Sequence, residues 1–219
     1  NYHLLPYHSL DVAAVGWHLL TVSSPLCQRL ASQLQVSPDW LQRFFCYCLM
    51  LHDLGKFARS FQNLVPSLSP NLVAYSGQCV YSERHDTLGF LLWKKILAKK
   101  MVDIFPAAIR IEPWLEVVCG HHGQPPKKSI SGLAGCFLEE DELAAEAFVR
   151  DISDLWLPDL SPLTRIDKQA FRQVSWQLAG LAVVADWLGS DQVIFNYCAK
   201  PGSLADYWQS QALPKASKA

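Results

Sequence analysis

Leu49-Met50-Leu51-His52-Asp53-Leu54-Gly55-Lys56-Phe57 carries an apolar run onto two adjacent side chains, an imidazole and a carboxylate, of the kind that bind metal ions. Upstream, Trp40, Leu41, Phe44, Phe45, Cys48 and Leu49 recur at the spacing of a helix packed on a core. Ser37-Pro38-Asp39 makes the helix start, with Ser37 as cap and Pro38 in the first turn. Gly55 is placed to end the helix, which puts His52 and Asp53 in its last turn, held rigidly and pointing off the packed end. Neutral imidazole beside carboxylate is a donor pair that intermediate divalent metals accept. Lys56 follows one turn on, a cation available to a phosphate. A His-Asp dipeptide also occurs by chance, so the rest of the chain decides.

The chain has 219 residues, half of them hydrophobic and 18% charged, enough for one sizeable core. Alternating apolar and polar runs are few, while several windows longer than ten residues carry helical spacing, so the expected class is all-α in a single domain. A net charge of -1 gives no global field for nucleic acid, and any such binding rests on local clusters such as Lys127 and Lys128. Lys94, Lys95, Lys99 and Lys100 read as a solvated helix face. Seven cysteines, an odd number set mostly in apolar segments and without a Cys-x-x-Cys pair, read as reduced core residues of a cytoplasmic protein rather than a zinc ribbon. No signal segment and no run of membrane-spanning length occurs, so no membrane association is expected. The first residue is Asn, so a trimmed chain or a piece of a longer polypeptide is expected.

Five of the seven histidines, His52 among them, fall at helix ends or in Gly-bounded turns. His8 lies at the lip of an apolar helix that runs through Leu20, and alone it would read as a surface or capping residue. His3 and His18 have nothing around them that repeats. Pro66 to Gly77 reads as a loop. Ser82 is a candidate cap for the helix whose first turn holds His85. Pro113 to Cys119 forms a short helix closed by Gly120-His121-His122-Gly123, whose glycines let the backbone turn sharply and aim both imidazoles at one place. Glu139 to Trp156 reads as a helix with its acidic face in solvent. Trp176 to Leu188 is apolar on nearly every side and reads as a buried helix. Asp186 sits inside it, where an ionised carboxylate is costly unless paired or bound to metal, and no Lys or Arg occurs between Arg172 and Lys200. Residues 201–219 read as a C-terminal segment or linker.

Together, His8, His52, Asp53, His85, His121, His122 and Asp186 make seven nitrogen and oxygen donors, the five histidines at helix ends or in turns and Asp186 within a buried helix, more than one ion takes. A single carboxylate such as Asp53 can bridge, so a two-metal site at converging helix ends is expected, with ions about 3.5–4 Å apart as such sites generally have.

This order of residues resembles the HD superfamily, and within it the HD nuclease domain of the CRISPR-associated helicase-nuclease of type I systems, closest to the I-E branch. The likeness spans roughly residues 3–197 and rests on Tyr7 to Ala14, His52-Asp53 with Lys56, His85, the Gly-His-His-Gly turn and Ala185-Asp186-Trp187-Leu188-Gly189-Ser190. It implies an HD nuclease domain over residues 1–200. It also implies one divalent ion held by His8, His52, Asp53 and Asp186 and another by Asp53, His85, His121 and His122. The metals the resemblance implies include manganese, iron, cobalt and nickel. The implied substrate is single-stranded DNA displaced by a guide-RNA surveillance complex. The usual helicase domain, whether in the same or a separate chain, is absent here, so cleavage is expected without processive feeding. The expected chemistry is metal-assisted phosphodiester hydrolysis, with Asp53 and Lys56 catalytic and Lys56, Lys127, Lys128 and Ser190 binding the strand. Two rival readings share the doublet: an HD phosphohydrolase of small nucleotides, and a silent HD module that only binds a partner.

Overall fold

Pro6 in the first turn starts α1 (Leu5–Leu19), a helix apolar enough around its girth that Leu10, Val12, Ala13 and Ala14 are fully buried. The computed structural model describes residues 2–66 and 68–219, and among the described residues there is no strand. α2 (Pro25–Leu34) and α3 (Pro38–Met50) follow, capped by Ser24 and Ser37, whose hydroxyls accept from Cys27 N and Trp40 N at 3.1 Å each. A short 3-10 helix (Leu54–Phe57) leads into α4 (Arg59–Gln62). A long loop that includes Pro66 to Gly77, with position 67 outside the described residues, then reaches α5 (His85–Leu92). α5 runs through one π-helical stretch, Trp93–Leu97, into α6 (Ala98–Lys100). The remainder is α7 (Glu112–Cys119), α8 (Glu139–Trp156) and α9 (Lys168–Gly189), then α10 (Leu204–Tyr207) and α11 (Leu213–Ala216) joined by a second π-helical stretch, Trp208–Ala212.

α1 packs against both α3 and α9, and α7 lies against α9. Trp40, Phe44, Trp114 and Phe171 knit α3, α7 and α9 together with ring centroids 4.8–5.0 Å apart. Two glycines permit the approaches that assemble the ligand cluster. A Cβ on Gly189 would lie 2.7 Å from the Val12 Cα, so the end of α9 touches the backbone of α1, and Asp186 comes to His8. A Cβ on Gly55 would overlap the His85 carbonyl, so the turn that bears Asp53 lies directly on the first turn of α5.

The structure departs from the sequence reading at five places. α3 ends at Met50, so His52 and Asp53 lie in the turn beyond it, and Gly55 serves close packing rather than helix termination. α5 starts at His85 after Arg84, without a side-chain cap from Ser82. The acidic face of α8 is not all in solvent, because Asp141 is buried and takes Arg59 Nη2 at 2.9 Å while the same guanidinium reaches Glu140 at 2.6 Å. α9 is buried on one side only: Trp176 is 79% and Trp187 70% exposed. The C-terminal residues, expected as a linker or tail, are helical from 204 to 216 and seated on α1. There Tyr207 stacks on Tyr7 at 4.0 Å and donates to the buried Asp11 carboxylate at 3.1 Å.

All seven cysteines are unpaired and six are buried, as expected of reduced core thiols. Among the described residues no helix is long and apolar enough to cross a membrane.

Candidate metal centre

Five segments deliver the seven predicted donors to one place: α1 brings His8, the turn after α3 His52 and Asp53, the first residue of α5 His85, the turn after α7 His121 and His122, and the last turn of α9 Asp186. They form two groups, His8-His52-Asp53-Asp186 and His85-His121-His122, whose ligand atoms lie within 4.8 Å of one another in each group.

Asp53 stands between the groups. Its Oδ2 is 3.0 Å from His8 Nε2 and 3.1 Å from His52 Nε2, and its Oδ1 is 3.3 Å from His85 Nε2 and 3.6 Å from His121 Nε2. Asp186 Oδ1 closes the first group at 3.5 Å from His52 Nε2 and 3.9 Å from His8 Nε2. In the second group the Nε2 atoms of His85 and His122 are 3.0 Å apart.

The donor set fits divalent cations on the chemistry of its own atoms. His52 Nδ1 lies 2.7 Å from the Leu49 carbonyl and His121 Nδ1 2.9 Å from the Val118 carbonyl, so each Nδ1–H is committed to the backbone and each Nε2 faces the centre. This is how metal-binding imidazoles are commonly oriented. His52 Nε2 and Asp53 Oδ1 are buried without a hydrogen-bond partner, and an unpaired carboxylate oxygen so placed calls for a cation. Burial pulls His8 below its ordinary value and takes His85 and His121 down to about 4, so these imidazoles are neutral near pH 7. Burial pushes the Asp53 carboxyl up, but the positive charge shared with His52 and Lys56 outweighs it and holds Asp53 well below the carboxylate range. Burial likewise opposes ionisation of Asp186, and His52 overrides it. Neutral imidazoles around two carboxylates are the protonation states that metal binding requires. His52 is the exception: burial lowers it, yet Asp53 and Asp186 raise it to about 9, so a cation there displaces a proton.

Lys56 Nζ lies 2.5 Å from Asp53 Oδ2 and 3.5 Å from His8 Nε2, a monovalent cation standing in on the first group. The other expected strand-binding residues are engaged elsewhere. Lys127 pairs with Glu83 at 2.7 Å, and Lys128 pairs with Glu116 while sitting over the Phe90 ring. Ser190 Oγ donates to Asp186 Oδ1 at 3.3 Å and so orients that carboxylate.

Sequence reasoning missed three contributors. The Leu49 and Val118 carbonyls are backbone atoms with no residue-type signal. The Tyr81 hydroxyl accepts from His85 N at 3.1 Å and steadies the start of α5. Asp86, the second half of a His-Asp doublet in the sequence, turns away from the centre to Arg84 at 2.7 Å.

Residues 1–195 match the family model described as "Cas3, HD domain". The CRISPR-associated endonuclease/helicase Cas3 of Escherichia coli (strain K12) is 30% identical over 218 residues, covering 86% of this chain and 24% of that protein. The chain thus spans about a quarter of the curated relative it matches. Among solved structures, T. fusca Cas3 with AMPPNP aligns with a TM-score of 0.73 at 21% identity over 99% of this chain and 25% of its own. A chain of a CRISPR RNA-guided surveillance complex, pre-nicking, aligns at 0.71 and 22% over 97% of this chain and 26% of its own. The Thermus thermophilus Cas3 HD domain, crystallised in the presence of Ni2+, aligns at 0.67 and 20% over 99% of this chain and 83% of its own. These structural likenesses establish a shared fold.

Proposed function

The chain belongs to the Cas3 HD domain family, and from that premise we propose that it hydrolyses phosphodiester bonds of single-stranded DNA in CRISPR interference, using two divalent cations. The observation that carries the reading is the position of Asp53, one carboxylate oxygen toward His8 and His52 and the other toward His85 and His121. A carboxylate so divided suits a bridge between two ions. Manganese, iron, cobalt and nickel all accept this thiolate-free set of nitrogen and oxygen donors.

When bound, paired divalent cations supply Lewis acidity toward phosphate oxygens and lower the pKa of water toward neutrality. This chain's residues do the rest. Asp53 and Asp186 bring negative charge into a buried site and are fixed by their neighbours, Asp186 by Ser190. His52 and His121 are held in orientation by the backbone. Lys56, on a half-buried stem, swings from Asp53 toward the non-bridging phosphate oxygens and stabilises charge that grows in the transition state. Lys56, Lys127 and Lys128 each have a carboxylate partner, but that of Lys56 is Asp53, which bound cations would neutralise, so Lys56 is the principal phosphate contact.

Support for the partners comes from the relatives. The E. coli relative is an endonuclease/helicase roughly four times as long, and one aligned chain belongs to a guide-RNA surveillance complex. A helicase part, in the same or a separate chain, and such a complex are therefore the proposed partners.

The test is cleavage of circular single-stranded DNA by protein loaded in turn with manganese, cobalt and nickel, with His52→Ala/Asp53→Ala as control. Cutting that vanishes in the control supports an endonuclease able to act without an end or a motor. Folded, metal-loaded protein that leaves the circle and linear DNA intact but hydrolyses nucleotides moves the assignment to a small-nucleotide phosphohydrolase. Inactivity on both leaves a binding module.

A further inference from the structure

The outward face of α9 carries apolar area that the fold leaves unused. Trp176 and Trp187 are its most exposed large side chains. They are eleven residues apart, three helical turns, and so lie on one line about 16 Å apart along the axis. Gly180 falls between them, where an added Cβ would meet nothing within 4 Å, so the two indoles stand as separate faces with open space between. Exposed Arg172 sits one turn before Trp176 on the same line.

This line runs into the metal centre from two directions. Trp187 directly follows the ligand Asp186. Beside Trp176 a groove of about 760 Å³ opens between α9 and the end of α7, floored by Val117, Phe171 and Val183 and rimmed by Arg172. Its far wall contains Gly120 and Gly123, the glycines that bracket His121 and His122. A ligand lying in the groove therefore abuts the turn that supplies two of the three histidines of the second group.

We propose that this α9 line is a strand track, in which Trp176 and Trp187 stack on nucleobases and Arg172 holds a phosphate as single-stranded DNA enters the metal centre. The assignment rests on the phosphodiester-hydrolysis reading for its substrate and on the geometry of α9 for its location. Single-stranded nucleic acid suits it because every base offers a π-face, so well-separated aromatic rings with a neighbouring cation bind a strand without regard to sequence. Apolar floor, cation at the rim and continuity with the phosphate-cleaving residues point to the same occupant. A protein docking on the stripe is the competing outcome.

The experiment measures binding of a labelled oligothymidylate by fluorescence anisotropy, in chelator so that nothing is cut, for the full chain, Trp176→Ala, Trp187→Ala and the double variant, with Trp176→Phe as a stacking-competent control. Both indoles are mostly solvent-exposed, so melting temperatures are expected to stay with the parent. The track predicts affinity lower by about fivefold or more for each Ala variant, as loss of a base-aromatic stack gives, and largely kept by Trp176→Phe. Cleavage with metal restored is expected to show a raised KM and an unchanged kcat. Unchanged affinity in the double variant overturns the track, as does a parent chain that does not bind the oligonucleotide, and a change in self-association with DNA affinity intact assigns the stripe to protein contact instead. If binding falls as expected but no variant, the parent included, cuts DNA, the track stands and the hydrolytic reading fails.

Discussion

His52 Nε2 lies 3.1 Å from Asp53 Oδ2 while the opposite ring nitrogen of His52 is bound to the Leu49 carbonyl 2.7 Å away. Neighbours in sequence, the two side chains are aimed into one buried volume by a turn that leaves α3 at Met50 and lands on α5. The helix end supplies rigidity, and the carbonyl supplies the tautomer. What converges on that volume from α1, α5, α7 and α9 turns a dipeptide into a centre.

Lys56 occupies the Asp53 oxygen that a divalent cation in the first group would take. Lys56→Ala is therefore expected to bind metal at least as tightly as the parent and to lower kcat by about 100-fold or more, the usual effect of removing one transition-state charge donor. Isothermal titration with manganese and single-turnover cleavage read the two effects separately. Unchanged cleavage removes Lys56 from the chemistry.

Gly55→Ala places a methyl group against the His85 carbonyl and must push α5 from the Asp53 turn. Overpacking of this kind costs about 1–3 kcal/mol, and here the displaced element bears a ligand. A lower melting temperature and loss of metal from the His85 group are expected together. A variant that melts like the parent and loads metal normally would show that the backbone contact is dispensable.

Asp186→Asn keeps the shape and the Ser190 contact but removes a buried charge. Metal loading should suffer more than folding, because the carboxylate faces His8 and His52 rather than a Lys or Arg. A collapsed melting temperature with metal still saturating would make Asp186 a structural ion-pair partner of His52.

The metal-free chain has an acid limb and an alkaline limb. His85 and His121, lowered to about 4 by burial, bind fewer protons folded than unfolded between pH 6.5 and 4, so their stabilisation is lost as pH falls through that window. His52, raised to about 9, acts oppositely, and its contribution is lost as pH rises from 6.5 through 9. Asp11, raised by burial, also favours the acid side. Scanning calorimetry in chelator should find a maximum near pH 6.5, with His121→Gln flattening the acid limb and His52→Gln the alkaline one. A profile that His121→Gln leaves unchanged contradicts burial of a neutral imidazole.

The centre was more legible in the sequence than the packing around it. The candidate histidines sit at helix ends and in turns and Asp186 in an apolar helix without a nearby cation, where residue type and spacing show directly, and all seven side chains meet in space. The direction a helix face looks does not show in the same way. Trp176 to Leu188 reads as buried because apolar side chains encircle it, yet the fold supplies partners for Leu178, Ala182 and Ala185 and none for Trp176 or Trp187. Residues 201–219 read as a C-terminal segment or linker because Pro214-Lys215-Ala216-Ser217-Lys218-Ala219 is small and polar, yet Tyr207, Trp208, Ala212 and Ala216 find buried places against α1. Asp141 looked like one more solvent charge until Arg59, 82 residues away, was brought to it. Long-range pairing of that kind leaves no local pattern.

The most direct measurement is the number of manganese ions bound per chain, by titration and elemental analysis, for the parent and for Asp53→Ala. Two ions in the parent and loss of both sites in the variant, with its fold intact by circular dichroism, are the expected result. Two ions retained by Asp53→Ala would contradict the bridge on which the centre is built.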